Sequence, residues 1–228
     1  MSVEWVTIGP HRLACGDCRD VMSSLAPASI DCVVTDPPYG IEYESGMTGH
    51  DGGTALPGIE GDSDTSLRDA LIEWMGNTPA IIFGSWKRPR PAKCKAVLIW
   101  EKGDHVGMGD LSMPWKPNTE EIYIIGKGFS GHRGSSVLKF NAPTSWNSVG
   151  FGRKHPHEKP RRLMMELVGK CPGETVFDPF MGSGRTGEAC AKLGKRFIGV
   201  ELCRDHFETS CRRIEDALHA EPLLAGCA

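Results

Sequence analysis

Short apolar, β-branched runs bounded by turn residues recur along the chain and alternate with stretches of helical periodicity, which is the pattern of an α/β sheet. Strands are predicted over 12–15, 30–35, 80–84, 96–101, 121–126, 174–178 and 196–201. Helical periodicity covers 19–25, 65–76, 161–170, 185–193 and 205–220. Two stretches fit neither pattern. Residues 40–63 carry Gly46, Gly49, Gly52, Gly53, Pro57, Gly58 and Gly61 directly after a strand end, and read as a long mobile or functional loop. Residues 127–154 hold one weak strand signal, at 136–140. No repeat of 20–50 residues is visible.

The length of 228 residues suits a single domain, 1–228, and leaves little room for two independent cores. At 39% apolar and 24% charged residues, the composition is that of an ordinary soluble protein rather than a fibrous or disordered one. No apolar run approaches the roughly 20 residues of a membrane span. The start, Met1-Ser2-Val3-Glu4, has no basic region followed by an apolar stretch, so a cytoplasmic protein without a membrane partner is expected. Nine cysteines are scattered through apolar runs and read as reduced core residues. Cys15 and Cys18 form a CxxC with no second pair and no CxxH at zinc-finger spacing, so no metal is expected.

Charge is unevenly distributed. Residues 1–83 hold three Lys and Arg against thirteen Asp and Glu, 84–162 hold fifteen against six, and 163–228 hold eight against ten. Within the basic middle, 127–162 has eight basic residues and the single acid Glu158, interleaved with His132, Phe140, Trp146 and Phe151. A polyanionic partner fits this island, and so does a solvated basic surface.

Two strings carry chemistry. Thr35-Asp36-Pro37-Pro38-Tyr39-Gly40 closes the strand at 30–35, and ligands of open α/β sheets bind beyond the carboxyl ends of strands. The two prolines fix φ and remove two backbone donors, leaving carbonyl acceptors beside the Asp36 carboxylate and the Tyr39 ring. That rigid, acceptor-rich set suits a planar group bearing an NH2, its N–H bonds accepted and its face stacked. A proline-rich loop whose Tyr39 covers an apolar edge would read the same.

The second string is Phe177-Asp178-Pro179-Phe180-Met181-Gly182-Ser183-Gly184-Arg185-Thr186-Gly187, between a predicted strand and helix. Gly182 and Gly184 allow backbone to approach a ligand at the helix N-terminus. The next strand ends in Glu201, 17 residues after Gly184, where a carboxylate can bind two ribose hydroxyls. The letters also fit the dinucleotide fingerprint. Against a nicotinamide or flavin enzyme stand Asp178, a carboxylate where a pyrophosphate would pass, and the lack of a hydride-transfer site. A ligand with an ammonium and a sulfonium group suits that carboxylate better.

With His155-Pro156-His157-Glu158-Lys159-Pro160 between them, these strings resemble the S-adenosylmethionine-dependent amino-methyltransferases of DNA, and their order resembles the permuted beta group. Gly16-Asp17-Cys18 and Ala80-Ile81-Ile82-Phe83-Gly84 resemble further family segments. The resemblance implies a Rossmann-like methyltransferase fold: a mostly parallel seven-stranded sheet, helices on both faces, circularly permuted motif order. It implies S-adenosylmethionine as cofactor, DNA as partner, a flipped-out base, and a place among prokaryotic or phage restriction–modification enzymes. By the same resemblance Asp36 and the Pro37 carbonyl hold the amino group, Pro38 completes the motif, and Tyr39 stacks on the base. Asp17 and Cys18 take the adenine end of the cofactor, and Glu201 with Leu202 the ribose. Phe180, Gly182, Ser183, Gly184 and Thr186 shape the methionine pocket, with Asp178 near its amino group, Asp36 bordering it, and Lys159 and Pro160 beside it. Lys159 would otherwise be a solvated lysine at a helix start.

The chain is shorter than the fuller family members, and only 127–154 stands where a target-recognition domain would be inserted. Arg133, Lys139, Arg153 and Lys154 are the candidate phosphate contacts there. A short or degenerate target is expected, with a homodimer extending the DNA-contacting surface. An exocyclic nitrogen is a poor nucleophile, so accepting both N–H bonds stabilises the charge that grows as the methyl arrives, without metal or covalent intermediate. No Pro-Cys nucleophile motif is present, which disfavours cytosine C5 chemistry. In the resembling family DPPY rather than SPPY leans to adenine N6, with cytosine N4 as rival. Methylation of RNA or of a protein amide, and a non-enzymatic DNA-binding protein, remain as readings from other classes.

Overall fold

The computed structural model describes residues 3–40, 64–104, 106–143 and 158–220. Nine strands among them form one sheet: β1 (Glu4–Ile8), β2 (His11–Cys15), β3 (Cys32–Thr35), β4 (Ala80–Gly84), β5 (Cys94–Glu101), β6 (Thr119–Ile125), β7 (Val137–Lys139), β8 (Thr175–Asp178) and β9 (Arg196–Glu201). The helices are α1 (Cys18–Ser24), α2 (Ser66–Trp74), α3 (Arg161–Gly169), α4 (Arg185–Lys192) and α5 (Arg204–His219). No described helix is long and apolar enough to cross a membrane.

The spatial order is β1-β2-β9-β8-β3-β4-β6-β5-β7. The pairs β2/β9, β9/β8, β8/β3, β3/β4 and β5/β7 are parallel, whereas β1/β2, β4/β6 and β5/β6 are antiparallel. The sheet therefore has nine described strands where seven were expected. One unexpected strand is β1, a hairpin partner of β2 turned at Gly9 (φ 54). Being an edge strand, it keeps Glu4 and Thr7 exposed and lacks the unbroken apolar run that marks the buried strands. The other addition is β7, which realises the weak signal at 136–140.

Both faces of the sheet are covered. Cys32 and Val34 of β3 pack with Leu163, Leu167, Ala189, Phe207 and Ile214 of α3, α4 and α5. Val33 faces the other way, toward Val21, Met22, Leu71 and Ile72 of α1 and α2. This period of two, buried on either side, is why the inner strands read as continuous apolar runs. Of the eight described cysteines five are buried and none is bonded to another, but Cys203 is exposed, contrary to the expectation of core placement throughout.

From β8 the chain winds through α4 to β9 on one side, and from β3 through α2 to β4 on the other. The winding reverses between β8 and β3, which opens a crevice at their carboxyl ends. Asp36 follows β3 and Asp178 ends β8, so the two strings singled out in the sequence meet at this reversal. The Thr35 hydroxyl donates to Asp178 Oδ1 at 2.6 Å and the Thr186 hydroxyl to Oδ2 at 2.6 Å, tying β3, β8 and α4 to one carboxyl group.

Burial raises the Asp178 carboxyl from 3.8 to about 7, against the pull of these hydrogen bonds. Between those values the folded chain holds a proton that the unfolded chain has lost, so stability falls as pH climbs from about 4 to about 7. Urea unfolding at pH 5 and pH 8 should show the parent losing about 3 kcal/mol over this interval while Asp178→Asn stays nearly flat. An equal loss in both would assign the slope to another group.

Candidate active site

The prolines at 37 and 38 have no N–H to offer a neighbouring strand, so β3 stops at Thr35 and the chain turns out at Asp36. The Asp36 side chain is 28% exposed. Its Oδ1 accepts the Tyr39 hydroxyl at 2.5 Å, and its Oδ2 pairs with Lys159 Nζ at 2.7 Å. Lys159 also reaches Glu120 Oε1 at 2.7 Å and the Tyr39 oxygen at 3.3 Å. Three N–H bonds meet three oxygens, and the ammonium is satisfied. It lies 4.7 Å from the ring centre of Phe83, and 5.7 Å from those of Trp100 and Tyr39.

Glu120 completes the cluster. Its Oε1 lies 2.6 Å from the Tyr39 oxygen and its Oε2 2.8 Å from Lys102 Nζ. Two carboxylates thus face two ammonium groups, and the single Tyr39 hydrogen is placed between both carboxylates. Burial would raise the Glu120 carboxyl, but Lys159 and Lys102 draw it down to about 2. Burial would likewise lower Lys159, and Asp36 with Glu120 hold it above its ordinary value. The Tyr39 phenol is pushed up by burial and by the same two carboxylates.

No local string announces Glu120. It is the second residue of β6, in register with Trp100 of β5, on the face that carries Ile122, and Lys159 stands over that Trp100 ring. The available signal is Glu120-Glu121, two of only six acids in the basic segment 84–162. Glu121 faces the other way, toward Arg90 at 2.6 Å and the Tyr123 hydroxyl at 2.9 Å. Lys159, expected beside the cofactor, places its ammonium on the Asp36 carboxylate at the same crevice. Glu158, its neighbour, pairs with Arg185 and, at 3.0 Å, with Arg213, on α4 and α5.

The residues expected around a cofactor come from three adjacent parallel strand ends. Asp17 follows β2 and caps α1, accepting the Arg19 N–H at 2.8 Å, and Cys18 is buried behind it. Glu201 ends β9, Leu202 after it is exposed, and the Gly16 N–H bonds the Glu201 carbonyl at 2.9 Å. The Glu201 side chain accepts the Gly182 N–H at 2.9 Å on Oε2 and the Cys203 N–H at 2.8 Å on Oε1, which leaves a lone pair on each oxygen. Phe180 is half-buried against the α1–α2 face.

The two glycines differ in purpose. A Cβ on Gly182, at φ +50, would meet nothing within 4 Å and would enter open space. One on Gly184, at φ +82, would stand 2.6 Å from Ser210 Cβ and 2.9 Å from its Cα. Gly184 therefore allows α4 to close on α5 rather than backbone to approach a ligand, which corrects the sequence reading. Ser183 is buried and its hydroxyl faces Arg213 at 2.8 Å; Thr186 and Asp178 are likewise engaged inside the fold. Asp178 is 2% exposed with both oxygens bonded, so it braces the loop from within rather than lining its open side.

Of the candidate phosphate contacts, Arg133 and Lys139 are exposed, and Arg153 and Lys154 lie outside the described residues. So do 41–63 and His155 to His157. Lys139 borders an open cavity of about 350 Å³ together with Phe140, Asn141, Pro160, Arg161 and Arg162. Trp100 Nε1 donates to the Phe140 carbonyl at 2.7 Å. No group of metal-ligating side chains exists among the described residues.

A family model described as DNA methylase matches residues 87–212. The chain belongs to that family. The match begins beyond Asp36, and the methylase likeness of the full chain extends further. The type II methyltransferase M2.MboI of Moraxella bovis is 24% identical over 237 residues, covering 88% of this chain and 86% of its own. The solved M1.HpyAVI–SAM complex superposes with a TM-score of 0.63 at 21% identity, over 89% of this chain and 99% of that one. The cytosine-N4-specific PvuII DNA methyltransferase gives 0.66 at 13% identity, over 92% and 90%. These structures share the α/β fold.

Removing the Glu120 charge tests the cluster. Glu120→Gln leaves Lys159 and Lys102 undercompensated and should cost about 3 kcal/mol at pH 7. A carboxyl held at about 2 in the fold contributes stability above its ordinary 4.5, and loses it as pH falls toward 2. Urea unfolding should therefore separate parent and variant by about 3 kcal/mol at pH 7 and by about half of that at pH 3; parallel behaviour would contradict the ion cluster.

Proposed function

We propose that this DNA methylase transfers a methyl group from S-adenosylmethionine to the exocyclic N6 of an adenine flipped out of duplex DNA. The observation that carries the reading is the half-exposed Asp36 carboxylate, its plane fixed by Tyr39 and Lys159, at the crevice that also receives Gly182 and Glu201. The cofactor fits the residues present. Backbone at Gly182 borders open space that a side chain would fill, Glu201 keeps acceptor capacity for ribose hydroxyls, and Asp17 stands at the neighbouring strand end. The SAM-bound state of M1.HpyAVI, a protein of the same fold, supports the choice.

When bound, S-adenosylmethionine supplies an electrophilic methyl group. Asp36 and the Pro37 carbonyl accept the two N–H bonds of the target amino group and stabilise the positive charge that develops on its nitrogen. Pro38 stiffens the turn, and the Tyr39 ring, held by its hydroxyl, stacks on the base. Lys159 and Glu120 are positioning residues that keep this geometry fixed before the substrate arrives. Asp in the first position of the tetrapeptide supports adenine. Arg133, Lys139, Arg153 and Lys154 serve as phosphate contacts, an assignment supported by the basic rim of Arg161 and Arg162 beside Lys139. A second subunit extends that surface, and the reaction takes place in the cytoplasm of a prokaryotic or phage-infected cell.

Transfer of labelled methyl groups, offered to DNA, RNA and protein in parallel, should label DNA alone. Digestion should yield N6-methyladenine; N4-methylcytosine would overturn the base assignment only. Asp36→Ala should lower turnover by about two to three orders of magnitude while cofactor binding survives, and near-normal turnover would refute its role.

The glycines make a paired test. Gly182→Val should abolish S-adenosylmethionine binding in titration calorimetry, at a folding cost of about 1–2 kcal/mol for its positive φ. Gly184→Ala should cost about 3 kcal/mol, since overpacking against Ser210 adds to the same strain. Unchanged cofactor affinity in the Gly182 variant would remove that loop from the pocket.

A further inference from the structure

β4 and β5 flank β6 and both run antiparallel to it, with Gly84 opposite Glu121 and Glu101 opposite Thr119. The chain therefore leaves β4, leaves β5 and enters β6 at one edge of the sheet. β3 is parallel to β4, so this is also the edge at which Thr35 delivers Asp36. Two passages project there: residues 85–90 after β4, and residues 102–118 between β5 and β6.

These passages carry the five most exposed large apolar side chains among the described residues. They are Trp86 at 74%, Met108 at 61%, Leu111 at 78%, Met113 at 54% and Trp115 at 75%; no other exceeds 40%. Clustered exposure of this kind marks a surface that is covered in use. Its charge says by what: residues 85–118 hold seven Lys and Arg against three Asp and Glu. Flat aromatic faces interleaved with cations match a partner with flat faces and anions, which is a nucleic acid with partly unstacked bases.

The longer passage is built to hold its side chains in place. The Ser112 N–H bonds Asp110 Oδ1 at 2.9 Å and the Met113 N–H bonds the Asp110 carbonyl at 3.1 Å, a tight turn that presents Leu111. Lys116 reaches across to the Asp104 carbonyl at 3.4 Å. At the root, the Lys102 N–H bonds the Asn118 carbonyl at 2.8 Å and Lys102 Nζ pairs with Glu120, which is joined through Lys159 to Asp36. The position of the loop is thereby referenced to the catalytic carboxylate.

We propose that residues 106–118, with Trp86 of the neighbouring passage, form the surface that meets the bases flanking the extruded nucleotide in duplex DNA, Trp115 and Trp86 supplying the stacking faces. This inference rests on the DNA reading above and moves base contact from the segment 127–154, which follows β6, to the loop that precedes it. Lysines and arginines of 127–154 keep the phosphates; this loop takes the bases.

The test uses the full chain, unmethylated genomic DNA fragments and the double variant Trp86→Ala/Trp115→Ala. Both side chains are exposed, so melting temperature and S-adenosylmethionine affinity should be unchanged. The KM for DNA should rise by roughly thirtyfold or more, the loss expected for two stacking contacts. The slope of log affinity against log salt should stay the same, because phosphate contacts are retained. DNA should also shield part of the parent's tryptophan emission from acrylamide, and not that of the variant. A wild-type KM in the variant, with the parent methylating DNA, would overturn the inference and leave the function standing. A parent that binds cofactor but neither binds nor methylates DNA would overturn both. Concentration-dependent self-association abolished by Trp115→Ala would show the surface to be a contact between copies, and would also overturn it.

Discussion

An ammonium group buried beneath three aromatic rings demands counter-charge, and the region around Asp36 is arranged to meet that demand for Lys159. Removing either carboxylate would leave an uncompensated charge in a poorly solvated place, which costs several kcal/mol, so Asp36 and Glu120 are held where they are by the lysine between them. Lys102 balances the second carboxylate, and the Tyr39 hydroxyl lies between the two. The orientation of the Asp36 carboxylate is thus a by-product of charge neutrality. Preorganisation of this kind is what electrostatic catalysis requires, since the acceptors need not move when the substrate enters.

Lys159 gains its position from its neighbours in the chain. Pro160 fixes the entry to α3, and Glu158 is turned the opposite way, into Arg185 and Arg213 beside the cofactor loop. Two consecutive residues therefore fasten the two halves of the crevice from one strand of chain. Thr35 and Asp178 do the same from below, across β3 and β8. The reversal of winding that creates the crevice is thus bridged by polar bonds at both levels.

Much of this was legible in the sequence because it is local. Asp36, Gly182 and Glu201 each sit at a strand end marked by proline or glycine, and the strands at 80–84 and 196–201 were bounded by their own apolar runs. What escaped depends on register. Glu120 and Lys102 acquire meaning only when β5 and β6 pair Trp100 with Glu120, a contact no string encodes. The same holds for Gly184, whose neighbour Ser210 lies on another helix. The charge of the basic island is partly internal: Lys102, Lys159 and Arg90 pair with Glu120, Asp36 and Glu121. Fewer of its charges face solvent than the arithmetic suggests.

The passage from β7 to α3 is clamped at both ends by bonds that do not depend on what lies between. On the outgoing side the Phe140 N–H bonds the Glu101 carbonyl at 3.2 Å, the Phe140 carbonyl accepts from Trp100, and the Ala142 N–H bonds the Lys102 carbonyl at 2.9 Å. On the returning side stand Glu158 and Lys159. Closing a longer loop between fixed ends costs only about 0.6 kcal/mol for each doubling of its length. Such a passage is an exchange port: segments of different length and sequence can be recombined into it at little cost while the charge cluster around Asp36 stays intact.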